Sequence, residues 1–162
     1  MAVPTGNHTV SDDVAEIRFV SMMPGPMLCI EVSDEHRTTG NPVQLAACNW
    51  DRVPEQQWQF FHGTILLSPS RREAPYCLDL PTDSNARDPD VTQEPDVVVN
   101  PCSGTFSQGW RRDFLRGNIF SIRNDATDTC LEAIPGDGPE GYQLTHNPCN
   151  EQHIGQQWTE LE

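Results

Sequence analysis

Apolar residues fall in short alternating runs rather than long stripes. Ile17-Arg18-Phe19-Val20, Thr64-Ile65-Leu66-Leu67 and Ile119-Phe120-Ser121-Ile122 each open a stretch of similar layout. A polar or Gly/Pro turn follows, then a cysteine-bearing apolar segment and a looser segment. A second strand ends at Cys48, Cys102 or Cys149, and a Gln-x-Trp strand closes the unit. Alternation of this kind puts one face inward and one outward, as in a half-buried β-strand. No stretch sustains a helical period with capping residues. The pattern predicts roughly four short strands per unit, roughly twelve in all, and an all-β domain.

The units are copies of one another. Gln56-Gln57-Trp58, Gln108-Gly109-Trp110 and Gln156-Gln157-Trp158 place their tryptophans 52 and 48 residues apart. Two cysteines precede each motif, separated by 19, 25 and 19 residues, in the frames Cys29-Ile-Glu-Val, Cys77-Leu-Asp-Leu and Cys130-Leu-Glu-Ala. A steady period fixes architecture ahead of local propensity. The reading is one domain over about 16–162, built from repeats at about 16–60, 61–113 and 114–162, behind a flexible arm at 1–15. Six cysteines allow 15 pairings. The repeat favours the one within each unit: Cys29–Cys48, Cys77–Cys102 and Cys130–Cys149. Gln and Trp two residues apart share a strand face. The indole is expected to fill the centre and the glutamine to tie strand to turn, since a buried N–H and a buried amide both need partners.

Chemistry narrows the function classes. No two cysteines have the spacing of a structural zinc site, and a disulfide framework implies an oxidising compartment. Met1 to Val10 has neither the basic start nor the apolar run of a secretory leader. The expectation is a secreted chain with its leader removed; the alternative is a cytosolic protein with reduced thiols. Asn7-His8-Thr9 fits the N-glycosylation pattern. Net charge is −14, and the ten basic residues are all arginine, which disfavours nucleic acid and anionic membrane as partners. No segment is long and apolar enough to span a bilayer as a helix. The acidic stretch between Asp79 and Asn100 lacks the glycine and terminal Glu of a calcium-binding loop and reads as solvated. Five histidines show no metal-ligand spacing, and no nucleophile elbow, His-Glu-x-x-His or phosphate loop occurs. No catalytic residue, metal or cofactor is expected.

The threefold Gln-x-Trp, with Cys77-Leu-Asp-Leu and Val43-Gln-Leu-Ala-Ala-Cys48, resembles the ricin B-type (R-type) lectin family over about residues 16–162. The resemblance implies a β-trefoil: twelve strands with pseudo-threefold symmetry, a six-stranded barrel capped by three hairpins. It also implies one shallow sugar pocket per repeat. There an Asp two residues after the first cysteine accepts hydrogen bonds from sugar hydroxyls, and a Gln four before the second cysteine supports it. An aromatic two before that cysteine stacks on the ring, and an Asn-Gln pair leads into the tryptophan.

Carried over residue by residue, the pattern gives incomplete pockets. The first repeat has Glu31 for the Asp, keeps Gln44 and Gln56, and has Ala46 and Glu55 for the aromatic and the Asn. The second keeps Asp79 and Gln108, with Val98, Asn100 and Ser107 at the other places. The third has Glu132, Thr145, Asn147 and Gly155 before Gln156, and a two-residue slip would bring in Gln143. The extra methylene of Glu moves its carboxylate about 1.5 Å outward, enough to disturb a tuned pocket. Trp50, two residues after Cys48, has no equivalent in the other repeats. It is read either as a stacking surface or interface anchor, or as a cover over its own disulfide.

The candidate carbohydrate-binding set is therefore Glu31, Gln44, Trp50, Gln56, Asp79, Asn100, Gln108, Glu132, Asn147 and Gln156. The leading function is a non-catalytic lectin domain for glycans of glycoproteins or glycolipids, galactose-type sugars among them, alone or as the targeting subunit of a toxin or hydrolase. The alternative is a protein-binding trefoil with degenerate sugar sites, a toxin assembly subunit or inhibitor in a larger secreted complex.

Overall fold

The structure, a computed structural model, describes residues 15–33, 40–51, 53–68, 75–81, 96–136 and 138–162. Residues 1–14 of the expected arm, with the Asn7 sequon, and most of the acidic segment before Asn100 lie outside the described residues. Twelve strands are described: β1 Arg18–Ser21, β2 Leu28–Val32, β3 Asn41–Ala47, β4 Trp58–Phe61, β5 Thr64–Leu67, β6 Tyr76–Asp79, β7 Val98–Pro101, β8 Trp110–Arg116, β9 Ile119–Asn124, β10 Thr129–Pro135, β11 Tyr142–Pro148 and β12 Trp158–Leu161. The sequence assigns the Gln-x-Trp glutamines to strands. They instead end 3₁₀ turns at Pro54–Gln56, Phe106–Gln108 and Ile154–Gln156, and each strand starts at its tryptophan.

Six strands close on themselves. β1 pairs with β12, β12 with β9, β9 with β8, and β4 with β5. An Ile17–Trp58 bridge joins the β1 edge to β4, and the Trp110 N–H donates to the Gly63 carbonyl at 2.8 Å, joining β8 to the β4–β5 turn. That turn is His62-Gly63, with φ of 52° and 78°, the backbone a two-residue hairpin needs to match strand twist. The other six strands form the hairpins β2–β3, β6–β7 and β10–β11. In each, the first cysteine faces the residue two before the second: Cys29 opposite Ala46, Cys77 opposite Asn100, Cys130 opposite Asn147. The same register three times over is the predicted pseudo-threefold β-trefoil, barrel and cap.

The three bridges are Cys29–Cys48, Cys77–Cys102 and Cys130–Cys149, each within its own repeat as the repeat pattern favours. Trp58, Trp110 and Trp158 are fully buried with Phe19, Phe120, Ile65 and Leu131 in one core. Each indole N–H donates to the carbonyl between the first cysteine and the acid of its repeat: Ile30, Leu78 and Leu131, at 2.9, 3.0 and 3.2 Å. The tryptophans therefore lock barrel to cap.

Candidate functional site

Each cap hairpin carries an acid two residues past its first cysteine, and each 3₁₀ turn sends a glutamine back to it. Gln56 Nε2 donates to Glu31 at 3.0 Å, Gln108 Nε2 to Asp79 at 3.1 Å, and Gln156 Nε2 to Glu132 at 3.1 Å. The same nitrogens also donate to the carbonyls of Ala47, Pro101 and Pro148 at 2.9, 3.0 and 3.0 Å. Each Oε1 accepts a backbone N–H at 2.8 Å, from Asn49, Ser103 and Asn150. A primary amide has two N–H donors, and both are engaged within the protein. Gln56, Gln108 and Gln156, 2% exposed, hold the acids in place. The sequence puts them among ligand-contacting residues; in the structure their amides are bonded to the acids and to backbone groups.

The longer Glu side chains keep this tie, so the expected outward shift is absorbed without losing it. What differs is access. Asp79 is 3% exposed; its Oδ1 accepts the Leu80 N–H at 2.7 Å, and its Oδ2 accepts Asn100 Nδ2 at 2.9 Å besides Gln108. Glu132 is 5% exposed; its Oε1 accepts Asn147 Nδ2 at 2.9 Å, and its Oε2 lies 3.4 Å from His153 Nε2. Glu31 is only half-buried, and its second oxygen accepts Gln44 Nε2 at 2.7 Å.

Asn100 and Asn147 stand where the aromatic is expected and clasp the carboxylate diagonally across the hairpin. Gln44 does so from directly opposite Glu31. The register sets Thr145 opposite Glu132 and Gln143 opposite Ile134, so the two-residue slip does not occur.

His153 is a site residue that sequence spacing missed. It lies just ahead of the third 3₁₀ turn, three residues before Gln156, and its ring is half exposed over the buried Glu132. His146, opposite Leu131 across the β10–β11 hairpin, turns elsewhere. Its Nδ1 is 2.9 Å from Thr129 Oγ1, and burial holds its pKa below the ordinary imidazole value against the opposing charge of Asp96. Phe106, 80% exposed, heads the second 3₁₀ turn two residues before Gln108, a position filled by Pro54 and Ile154 in the other repeats. Trp50 is 66% exposed, and the buried Arg18 guanidinium lies 5.5 Å from its ring centre. Arg18 Nη1 also donates to the Asn49 carbonyl at 3.2 Å, fixing the stem of the loop that carries Trp50.

Gly155 explains one departure from the sugar-pocket pattern. A Cβ there would stand 2.6 Å from the Ala133 carbonyl oxygen, so the Asn expected before Gln156 does not fit this backbone. Gly155→Ala is expected to cost about 1–3 kcal/mol through forced backbone movement, read as a lower urea midpoint. Gly109→Ala meets the side chain of the exposed Asp125, from Oδ2 down to Cβ, and no backbone atom, and is expected to cost less. Equal losses in the two variants would contradict this.

No protein-family model matches the sequence, and none of the curated proteins does. Solved structures do match. A designed threefold-symmetric protein, ThreeFoil, superposes with a TM-score of 0.68 at 17% identity, over 91% of this chain and 98% of that one. A non-toxic homologue of type II RIPs from bitter gourd (Momordica charantia), in complex with α-methyl-D-galactoside, gives 0.62 at 20% identity over 90% of this chain. The match covers 48% of the gourd protein, so this chain spans about half its length. The β-trefoil lectin of the Vibrio vulnificus hemolysin/cytolysin, with N-acetyl-D-lactosamine bound, gives 0.58 at 16% identity over 91% of this chain and 93% of that one. The class is thereby defined: this chain has the β-trefoil fold of these structures.

Proposed function

We propose that this chain is a non-catalytic glycan-binding module of an exported protein, with its principal site in the first repeat. The observation that carries the reading is Glu31. Unlike Asp79 and Glu132 it is not buried, and each of its oxygens accepts one hydrogen bond, from Gln56 and Gln44. A carboxylate has about four lone-pair positions, so capacity remains for vicinal sugar hydroxyls, with Gln44 beside it. Trp50, on the loop stem that Gln56 holds through Asn49, offers a stacking face outside the symmetric core. The third repeat is a second candidate, with the amide of Asn147 and the ring of His153 at the lip. Asp79, closed in by its own partners, is the least suited. Galactose-type sugars are proposed first, because two of the matched trefoils carry such ligands. A targeting role beside a toxin or hydrolase partner is proposed because the matched trefoil of the gourd protein is part of a longer chain. The three bridges support export to an oxidising compartment.

Titration calorimetry with N-acetyllactosamine and methyl α-galactoside, preceded by a glycan array, tests this. Glu31→Gln is expected to weaken binding at least tenfold, about 1.4 kcal/mol, with an unchanged melting temperature. Folded protein that is silent on the array overturns it. A second reading, a protein-binding trefoil, is supported by the burial of Asp79 and Glu132 beside a prominent Trp50. A defined protein complex lost on Trp50→Ala, with no glycan signal, would favour that reading.

A further inference from the structure

The residues two past each Gln-x-Trp tryptophan meet at one end of the barrel. Residues two apart on a strand share a face. Each tryptophan points into the core, so the next residue on that face, Phe60, Arg112 or Glu160, forms a layer at the barrel mouth. The Arg112 guanidinium lies 4.5 Å from the Phe60 ring centre and pairs with the Glu160 carboxylate. These positions are threefold equivalents, but their side chains differ, so the mouth is a single asymmetric place.

One step further stand Phe114 on β8 and Glu162 just past β12. Phe114 is 61% exposed, yet it is held. It packs edge-to-face on Phe120 at 5.3 Å, and Phe120 packs edge-to-face on the buried Phe19 at 6.3 Å. A register shift in β8 between Phe114 and Arg116 follows directly; such bulges re-aim side chains at barrel rims. Beside it lies a cavity of about 350 Å³ lined by Phe114, Asn118, Phe120, Glu160 and Glu162. A smaller one of about 140 Å³, bordered by Phe60 and Arg112, shares the two glutamates. The larger volume falls in the usual range for small-ligand pockets, about 300–1,000 Å³.

We propose that this mouth is a saccharide-binding site distinct from the three cap pockets. A pyranose would lay its C–H face on Phe114 and direct hydroxyls to Glu160, Glu162 and the Asn118 amide. The lining selects this chemistry. A purely apolar ligand would desolvate the Glu160 and Glu162 carboxylates and the Asn118 amide without offering any of them a hydrogen bond. An organic cation would meet the like charge of Arg112, whose guanidinium lies 5.8 Å from the Phe114 ring centre and pairs with Glu160, while the exposed side of Phe114 stays open to a neutral ring. A neutral ring with several hydroxyls satisfies both halves of the lining. The Asn118 carbonyl accepts the Thr159 hydroxyl at 3.1 Å, which ties the β8–β9 turn to β12 and fixes the site before binding.

Amide chemical-shift mapping on ¹⁵N-labelled protein tests this apart from the Glu31 site. The probes are methyl α-galactoside, N-acetyllactosamine, methyl α-mannoside, methyl β-glucoside and N-acetylglucosamine, with tetramethylammonium as the cationic control. At least one saccharide is expected to shift amides at 112–120 and 158–162. Phe114→Ala and, separately, Asn118→Ala are expected to raise that Kd at least fivefold while shifts around Glu31 persist. Glu31→Gln is expected to do the reverse. Shifts confined to the cap hairpins overturn this site and leave the cap reading standing. Shifts confined to the mouth do the opposite, and silence everywhere sinks both. A response at the mouth to tetramethylammonium but to no saccharide also overturns it.

Discussion

Trp158→Ala is expected to lower stability by about 3–5 kcal/mol, and Trp50→Ala by about 1 kcal/mol or less. The contrast follows from where the four tryptophans lie. Trp58, Trp110 and Trp158 are at most 1% exposed, and each also donates its indole N–H to a cap carbonyl. Truncation removes a large buried area, opens a cavity that three strands cannot close, and leaves that carbonyl without its donor. Trp50 loses only an open stacking contact with Arg18. Trp158→Phe separates the two contributions in the core. It retains most of the apolar volume and deletes the N–H, leaving a buried acceptor unpaired at about 1–3 kcal/mol. Urea unfolding with a constant m-value measures all three. Similar losses for Trp50→Ala and Trp158→Ala would contradict the division of the four into core and surface.

The repeated Gln-x-Trp motif made the architecture legible before any strand was placed. Periodicity is a property of order along the chain, and so are the cysteine gaps that select one pairing. The alternation at Ile17, Thr64 and Ile119 located the first strand of each unit to within two residues. The acids were legible too, because their offset from the first cysteine is fixed. Their state was not. Whether Glu31 or Asp79 faces solvent depends on which partner closes over it. Asn100 and Asn147 close by a diagonal across the hairpin that no linear spacing encodes. His153 escaped because a single 3₁₀ turn has no period to betray which way its neighbour points.

The barrel mouth was hidden for a different reason. Phe60, Arg112 and Glu160 stand at one offset from the repeated tryptophan, but they share no identity, and a repeat is recognised by likeness. Symmetry of backbone with difference of side chain is the condition for a solitary site on the axis. The cap instead repeats one carboxylate–glutamine pair three times and tunes access through the neighbours.

Reduction of the three bridges is expected to bring the protein to the edge of unfolding at 37 °C. On the chain-entropy account, closing loops of 19, 25 and 19 residues stabilises by about 3 kcal/mol each. Together that is about 9–10 kcal/mol, comparable with the whole stability of an ordinary domain, about 5–15 kcal/mol. Because the dependence on length is logarithmic, the longer middle loop adds only about 0.2 kcal/mol. Three double variants, Cys29→Ala with Cys48→Ala and its two counterparts, are therefore expected to lose nearly equal amounts. Each cysteine pair joins the two strands of one cap hairpin beside its acid, so a lost bridge should also loosen that repeat's carboxylate–glutamine tie. Urea midpoints in oxidised and reduced buffer, with amide exchange at Asn49, Ser103 and Asn150, whose N–H groups the three glutamines accept, read both effects. A midpoint unmoved by reduction, or one bridge carrying nearly all the loss, would contradict equal stapling of three equivalent units.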